Sequence, residues 1–253
     1  MLLSGSRAVK KRSRAPSSAG LSGRVVVVSP HLDDAVMSLG SAVAQAVQTG
    51  AKVEILTVFS DVPSSKAPAG PWDSQCGFTT EGEAATARRQ EDRSACSILG
   101  AEPRWLDFGD ECYERRGNDD DIHSAVTSAV CGADAVLIPG FPLTHADHAS
   151  LSELLLRKGI NCPRIGLYAE QPYMFVQDKT PVGPAPPSPL KPVIGTTPPW
   201  TRLRTHRGCW RTKYAAVRSY RSQLRHLGLG SIGLHRMLWR EATQGGEAMV
   251  WLP

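Results

Sequence analysis

The sequence predicts a single α/β domain: a mostly parallel, Rossmann-like sheet flanked by helices, with long loops. Three observations predict it. Short β-branched and aliphatic runs alternate along the chain with segments of helical periodicity. The runs are apolar throughout rather than every second residue, as in strands covered on both faces. The 253 residues, 41% hydrophobic and 21% charged, suffice for one large core and exclude wholesale disorder.

The elements follow in order. Arg24–Val28 is a buried parallel strand, ended by Ser29-Pro30-His31. A helix runs from Asp33 or Asp34 to Gln48, with Val36, Leu39, Val43 and Val47 on one face and Gly50 as its stop. Lys52–Ser60 is a second strand, and residues 61–80 form a long Pro/Gly/Ser loop. Glu81–Leu99 is a helix closed by Gly100, Pro103–Phe108 a strand, and Asp119–Cys131 a helix. Ala135–Pro139, a helix over Asp147–Lys158, and Arg164–Ala169 complete the alternation. Residues 178–200 hold eight prolines, which excludes regular structure and suggests a loop or lid. Two helices close the described pattern, Arg211–Leu227 and Ile232–Glu241.

The charge is uneven. Residues 1–24 carry six basic residues and no acid, residues 25–201 carry 13 basic and 22 acidic, and residues 202–253 carry ten basic and two acidic. Residues 1–22 read as a flexible basic arm, leaving 23–253 as the folded domain. The C-terminal arginines alternate with Trp210, Tyr214, Tyr220, Leu224 and Leu227, as on a helix packed by its apolar face. No run approaches the roughly 18–20 apolar residues of a membrane span, and Met1–Gly20 lacks the apolar core of a secretory signal. The six cysteines form no CxxC pair, which argues against a zinc ribbon and for a reducing compartment. A cytoplasmic protein with no transmembrane segment and no nucleic-acid partner is expected.

In an open parallel sheet, ligands bind outside the carboxyl ends of the strands, at the point where strand order reverses. Two dense His/Asp clusters fall after predicted strands: His31-Leu32-Asp33-Asp34 after the first, and His145-Ala146-Asp147-His148 after the fourth. Together they hold three of the seven histidines. Each alone has a bland reading, since Asp at a helix start is usually an N-cap. Gathered at neighbouring strand ends, two imidazoles and a carboxylate suit a borderline metal with an open position for water. The leftover Asp and His would serve as general base and oxyanion donor.

With these residues on the page, the chain resembles the PIG-L/LmbE-like zinc-dependent de-N-acetylases, over roughly residues 24–241. Arg89-Gln90-Glu91-Asp92, Trp105-Leu106-Asp107-Phe108, Tyr168-Ala169-Glu170-Gln171-Pro172-Tyr173 and Lys213 through Leu224 extend the likeness. The resemblance implies one zinc ion per chain, held by His31, Asp34 and His148. It implies Asp33 as general base, His145 as the oxyanion-stabilising histidine, and Asp147 as the carboxylate that orients His145. The substrate implied is a small-molecule N-acetylglucosamine conjugate. Leu32 and Ala35 depart from the family's common Pro-His-Pro-Asp-Asp-Glu motif, which weakens the case for a thiol precursor. An inositol glycan fits less well without a membrane helix. A glycopeptide-antibiotic pseudoaglycone is the concrete candidate. Some family members place a Tyr where Leu143 stands, so a hydroxyl for the oxyanion would come from Tyr168 or Thr144.

Substrate contacts are expected from Asp61 after the second strand, from Arg88 on the third-strand helix, and from Glu170 and Gln171 after the fifth strand. Trp72 would stack on a sugar or an apolar aglycone. For Arg88, Arg89, Glu91 and Asp92 the alternative is charge pairing along a solvated helix face. A non-enzymatic nucleotide-binding module would need a Gly-rich turn after the first strand, where His31-Leu32-Asp33-Asp34 stands instead.

Overall fold

The computed structural model describes residues 20–179, 190–195, 199–244 and 246–253. Strands β1 (Arg24–Ser29), β2 (Lys52–Thr57), β3 (Glu102–Trp105), β4 (Ala135–Phe141), β5 (Ile165–Ala169), β6 (Thr201–Arg202) and β7 (Ala248–Trp251) form one sheet in the order β3-β2-β1-β4-β5-β7-β6. The first five strands pair in parallel; β7 is antiparallel to β5, and β6 to β7. The parallel part was legible from the apolar runs. The antiparallel edge was not, because two short strands carry too few residues for a periodicity. Pro103, which cannot donate to a ladder, sits on the other edge strand, β3.

Consecutive residues of β1 face opposite sides. Val25 and Val27 pack under α1 (Asp34–Gln48), α3 (Glu81–Leu99), α8 (Arg207–Val217) and α10 (Ser231–Gln244). Val26 and Val28 pack under α4 (Asp119–Val130) and α5 (Ala146–Lys158). A strand buried on both faces gains nothing from polar alternation, which explains Arg-Val-Val-Val-Val. Helix starts obey local chemistry. Thr80 with Glu83, and Asn118 with Asp121, form capping boxes at α3 and α4.

Several expectations need correction. The 61–80 loop contains a helix, α2 (Pro71–Cys76). The Arg211–Leu227 helix is two helices, α8 and α9 (Arg221–His226), and starts earlier. The break falls at Tyr220, whose buried hydroxyl donates to Asp92 Oδ1 at 2.6 Å and so ties the turn to α3. Short α6 (Tyr173–Val176) follows the cis Gln171–Pro172 bond. Within the Pro-rich segment, α7 (Lys191–Ile194) is helical because Pro192 lies in its first turn, where no N–H is needed. Buried Leu190 and partly buried Ile194 and Trp200 anchor that stretch to the core; residues 180–189 and 196–198, the rest of the expected lid, lie outside the described residues. The same is true of 1–19 of the expected arm, while Leu21 is buried in the core. Among the described residues no helix is long and apolar enough to cross a membrane.

Candidate active site

Strand order reverses between β1, whose crossover leads to β2, and its other neighbour β4. Both His/Asp clusters lie at the carboxyl ends of these two strands. After β1, Ser29 Oγ donates to the His31 carbonyl at 2.6 Å and accepts from Ala35 N at 3.0 Å, which pins the turn. Asp33 stands at the N-cap of α1 with φ 131° and makes no side-chain cap. That backbone region is strained for a side chain, and strain of this kind collects at functional sites. Asp33 partly lines a cavity of about 310 Å³, together with His31, Asp34, Asp61, Arg88 and His145. Its carboxyl holds a proton far above the ordinary carboxylate range, first through burial and then through the adjacent Asp34 charge.

Three donor atoms converge. His31 Nδ1 lies 3.1 Å from His148 Nε2 and 3.3 Å from Asp34 Oδ2, and His148 Nε2 lies 3.1 Å from the same oxygen. His145 is close as well: nitrogens of His31, His145 and His148 lie within 4.8 Å of one another, and this cluster could hold a metal ion. The His31 and His148 imidazoles are each held from behind. His31 Nε2 meets Asp147 Oδ2 at 3.1 Å, and His148 Nδ1 meets Glu170 Oε1. Burial alone would lower both histidines. The surrounding carboxylates outweigh it and bring His31 to about 9 and His148 to about 10.

The sequence placed some side chains wrongly. Asp147 does not orient His145; its carboxylate is shared between His31 and Arg115, whose Nη2 lies 2.5 Å from Oδ1. His145 instead caps α5, accepting Asp147 N–H on Nδ1 at 3.2 Å. That bond leaves its proton on Nε2, which faces the cavity with Glu111 Oε1 at 3.5 Å. Burial, then the positive charge of His31, lowers the His145 pKa, so a charged imidazole is not favoured here. Glu170 is not a sugar contact: it is fully buried, with Oε2 accepting Leu143 N–H at 2.8 Å while Oε1 holds His148. Gln171 is buried too, accepting Phe175 N–H and lying outside the cavity lining. Tyr168 donates to the Val28 carbonyl at 3.0 Å, and Thr144 Oγ1 accepts from Gln177, so neither hydroxyl reaches the cavity. Tyr173 does line it, edge-on to His148.

Asp61, Arg88 and Trp72 do line the cavity. Arg88 pairs with Asp73 rather than with its helix neighbours. Asp61, raised to about 7 by burial and then by Asp110, accepts Asp110 N–H at 3.1 Å. Trp72 Nε1 donates to Gln223 on α9 at 3.2 Å. The solvated-face reading of α3 fails: Glu91 accepts from Ser222, and Asp92 from Tyr220 and Trp105. Sequence reading missed the loop after β3, which brings Asp110, Glu111, Cys112 and Arg115 to the site. Its one available signal was position, since it too leaves the carboxyl end of a parallel strand.

An open α/β sheet that gathers imidazoles and carboxylates around one cavity at its switch point defines a catalytic domain for acid/base or metal-assisted chemistry. The chain belongs to the PIG-L family, whose model, described as GlcNAc-PI de-N-acetylase, matches residues 26–157. Among solved structures it is similar to the A40926 pseudoaglycone deacetylase Dbv21, with 27% identity, TM-score 0.73, and coverage of 90% of this chain and 96% of the other. It is also similar to a triple mutant of the deacetylase Orf2 of the teicoplanin biosynthetic pathway, with 25% identity, TM-score 0.73 and the same coverage. A zinc-inhibited form of teicoplanin deacetylase Orf2 shares the fold at 23% identity, TM-score 0.72, and coverage of 90% and 97%. No curated protein matches the chain.

Proposed function

We propose that the chain is a metal-dependent hydrolase that removes the acetyl group from an N-acetylglucosamine unit of a small-molecule glycoconjugate. A glycopeptide pseudoaglycone is the substrate class favoured by the 27% identical neighbour. The observation that carries the reading is the triangle of His31 Nδ1, Asp34 Oδ2 and His148 Nε2, with edges of 3.1–3.3 Å. Ligand atoms about 2.0–2.1 Å from one tetrahedral ion are separated by nearly that edge. The donor set, two imidazoles and a carboxylate, suits zinc first, and Asp147 and Glu170 supply the outer bonds such ligands use. His145 then remains free for catalysis.

A bound divalent ion would polarise the acyl oxygen and make its water acidic near neutral pH. Beside a cation held by the triangle, Asp33 would stay ionised and would then take the proton of the attacking water. Its carboxyl accepts no hydrogen bond from another described residue, and burial makes it a stronger base than a solvated carboxylate. The same burial stabilises the protonated form long enough to return the proton to the departing amine. His145 donates Nε2–H to the oxygen on which charge develops. It does so as a neutral imidazole, in keeping with its lowered pKa. The cavity of about 310 Å³ sits at the low end of small-molecule sites, ~300–1,000 Å³, enough for the sugar but not its conjugate. Asp61, Asp110 and Arg88 offer polar contacts to the sugar, and Trp72 and Leu227 an apolar rim for the aglycone.

The test is metal content and amine release, for wild type and Asp33→Ala, on pseudoaglycone, inositol-glycan and thiol-precursor substrates. About one metal per chain is expected, with acetate release lost in the variant while metal stays bound. Zinc belongs in the series at both equimolar and excess amounts, because a neighbour is described in a zinc-inhibited form. A protein that binds no divalent metal and stays inert after metal addition refutes the proposal.

A further inference from the structure

A second cavity, of about 810 Å³, shares no lining residue with the first. Its walls are Arg202 of β6, residues 203–206, the start of α8, the end of α10, Gly246 and Glu247 ahead of β7, and Ser41 of α1. Four arginines, Arg202, Arg204, Arg207 and Arg211, surround it, and all four are exposed. None is paired with a carboxylate among the described residues, and nothing local could pair with them. The chain from 202 onward has two acids, Glu241 and Glu247, and both are held inside by Lys213 Nζ at 2.7 and 2.8 Å. The basic excess of the C-terminal fifth is therefore turned outward, and much of it is collected at this one opening. The positive end of α8, an 11-residue helix capped by His206, adds to the same potential.

An aromatic wall points to a ligand rather than to a solvated face. Trp239, 58% exposed, and Trp210 form it. Both are braced: Trp210 Nε1 donates to the Leu238 carbonyl at 3.1 Å, and its ring stacks on Tyr214. Trp239 stacks on His235, which lies edge-on to Trp210. At the floor lie Glu241 and Glu247, whose carboxylates Lys213 holds from inside. Guanidinium forks recognise phosphate in two-pronged fashion, and an indole takes a flat ring. An open cationic surface for a membrane or a polynucleotide would not place acids and indoles inside a concavity of small-molecule size.

We propose that this cavity is a second small-molecule site, for a ligand of the nucleotide class: a phosphate group on the arginines and a planar ring against the exposed Trp239 indole. The site is independent of the deacetylase reading, since it stands on different residues.

The test is titration calorimetry on the full chain with ADP, pyrophosphate and adenosine as probes. Saturable 1:1 binding of ADP is expected, weakening with salt. Arg204→Glu/Arg207→Glu should weaken it by at least about tenfold, given the strength of charge-assisted bonds. Trp239→Ala should weaken ADP but leave pyrophosphate unchanged. The substituted side chains are exposed, so melting temperature and amine release should match wild type; Arg211→Gln, a milder change, serves if the double variant does not fold. The proposal is overturned if none of the probes saturates, or if the charge-reversed protein or, failing that, Arg211→Gln binds ADP as tightly as wild type. It is equally overturned if anionic vesicles or an oligonucleotide bind where ADP does not.

Discussion

Replacing Lys213 with Met should destabilise the protein by about 3–5 kcal/mol at pH 8 and by much less at pH 5.5. Lys213 is fully buried and passes across Gly40 of α1 to reach Glu241 and Glu247. Glu247 in turn accepts Ser41 N–H and Ala42 N–H, both at 2.7 Å, so the ammonium secures the middle of α1 to β7. Methionine fills the same volume but leaves two buried carboxylates without a counter-charge. In wild type, burial already raises Glu241 to about 7, and Lys213 is the main force holding it down. A carboxyl whose folded pKa lies above its unfolded value binds its proton more tightly when folded. Its contribution is present at low pH and is lost as pH rises through the folded pKa. Without Lys213 the Glu241 carboxyl shifts further upward, so the variant recovers on acidification as that group becomes neutral. For a domain of this size 1 kcal/mol moves the melting temperature by roughly 2–4 °C, giving a drop of roughly 6–20 °C at pH 8. Thermal unfolding at the two pH values measures it. A drop under about 2 °C at pH 8, or an equal drop at both values, refutes the reasoning.

Other substitutions test other contacts. Gly40→Ala gains helix propensity worth about 1 kcal/mol, yet its Cβ would lie 2.8 Å from Lys213 Cγ, close to the root of a fully held side chain. Crowding should win, and denaturant unfolding should show a net loss of about 1–3 kcal/mol. Arg115→Ala releases Asp147 from one of its two partners and should lower metal affinity by roughly 10–100-fold, read by competition with a chelating dye. Unchanged affinity would make that ion pair a loop anchor only. Tyr220→Phe removes the 2.6 Å bond to Asp92, whose pKa burial already raises. The cost of about 1–3 kcal/mol should be larger at pH 8 than at pH 5, because the orphaned carboxylate is neutralised as pH falls.

The parallel sheet and the two His/Asp clusters were legible because each signal is local. A run of valines, an Asp at a helix start, and a histidine two residues past a strand can be read without knowing what packs nearby. What the residues touch was not legible. Asp92, Glu91 and Arg88 look like solvated helix charges, but their partners Tyr220, Ser222 and Asp73 come from distant segments. Glu170 stands at the correct end of β5 for substrate and spends both oxygens on His148 and Leu143 N. The pairing of Asp147 with His31 rather than with His145, two residues away, follows from the rotation of α5 at its first turn. No spacing rule encodes that rotation. The loop after β3 has no periodicity at all, and its contribution is set entirely by where the sheet edge delivers it.

Both His/Asp clusters are also helix beginnings. α1 starts at Asp34, which lines the cavity, and α5 at Ala146, whose N-cap His145 lines the same cavity. Two positive helix ends therefore meet there whatever else is bound. For a deacetylase this favours the carboxylate that leaves over the neutral amide that enters. Acetate should linger, turnover should slow as it accumulates, and formate or other small carboxylates should compete with substrate. The frame that assembles the catalytic groups thus also builds in restraint by the product.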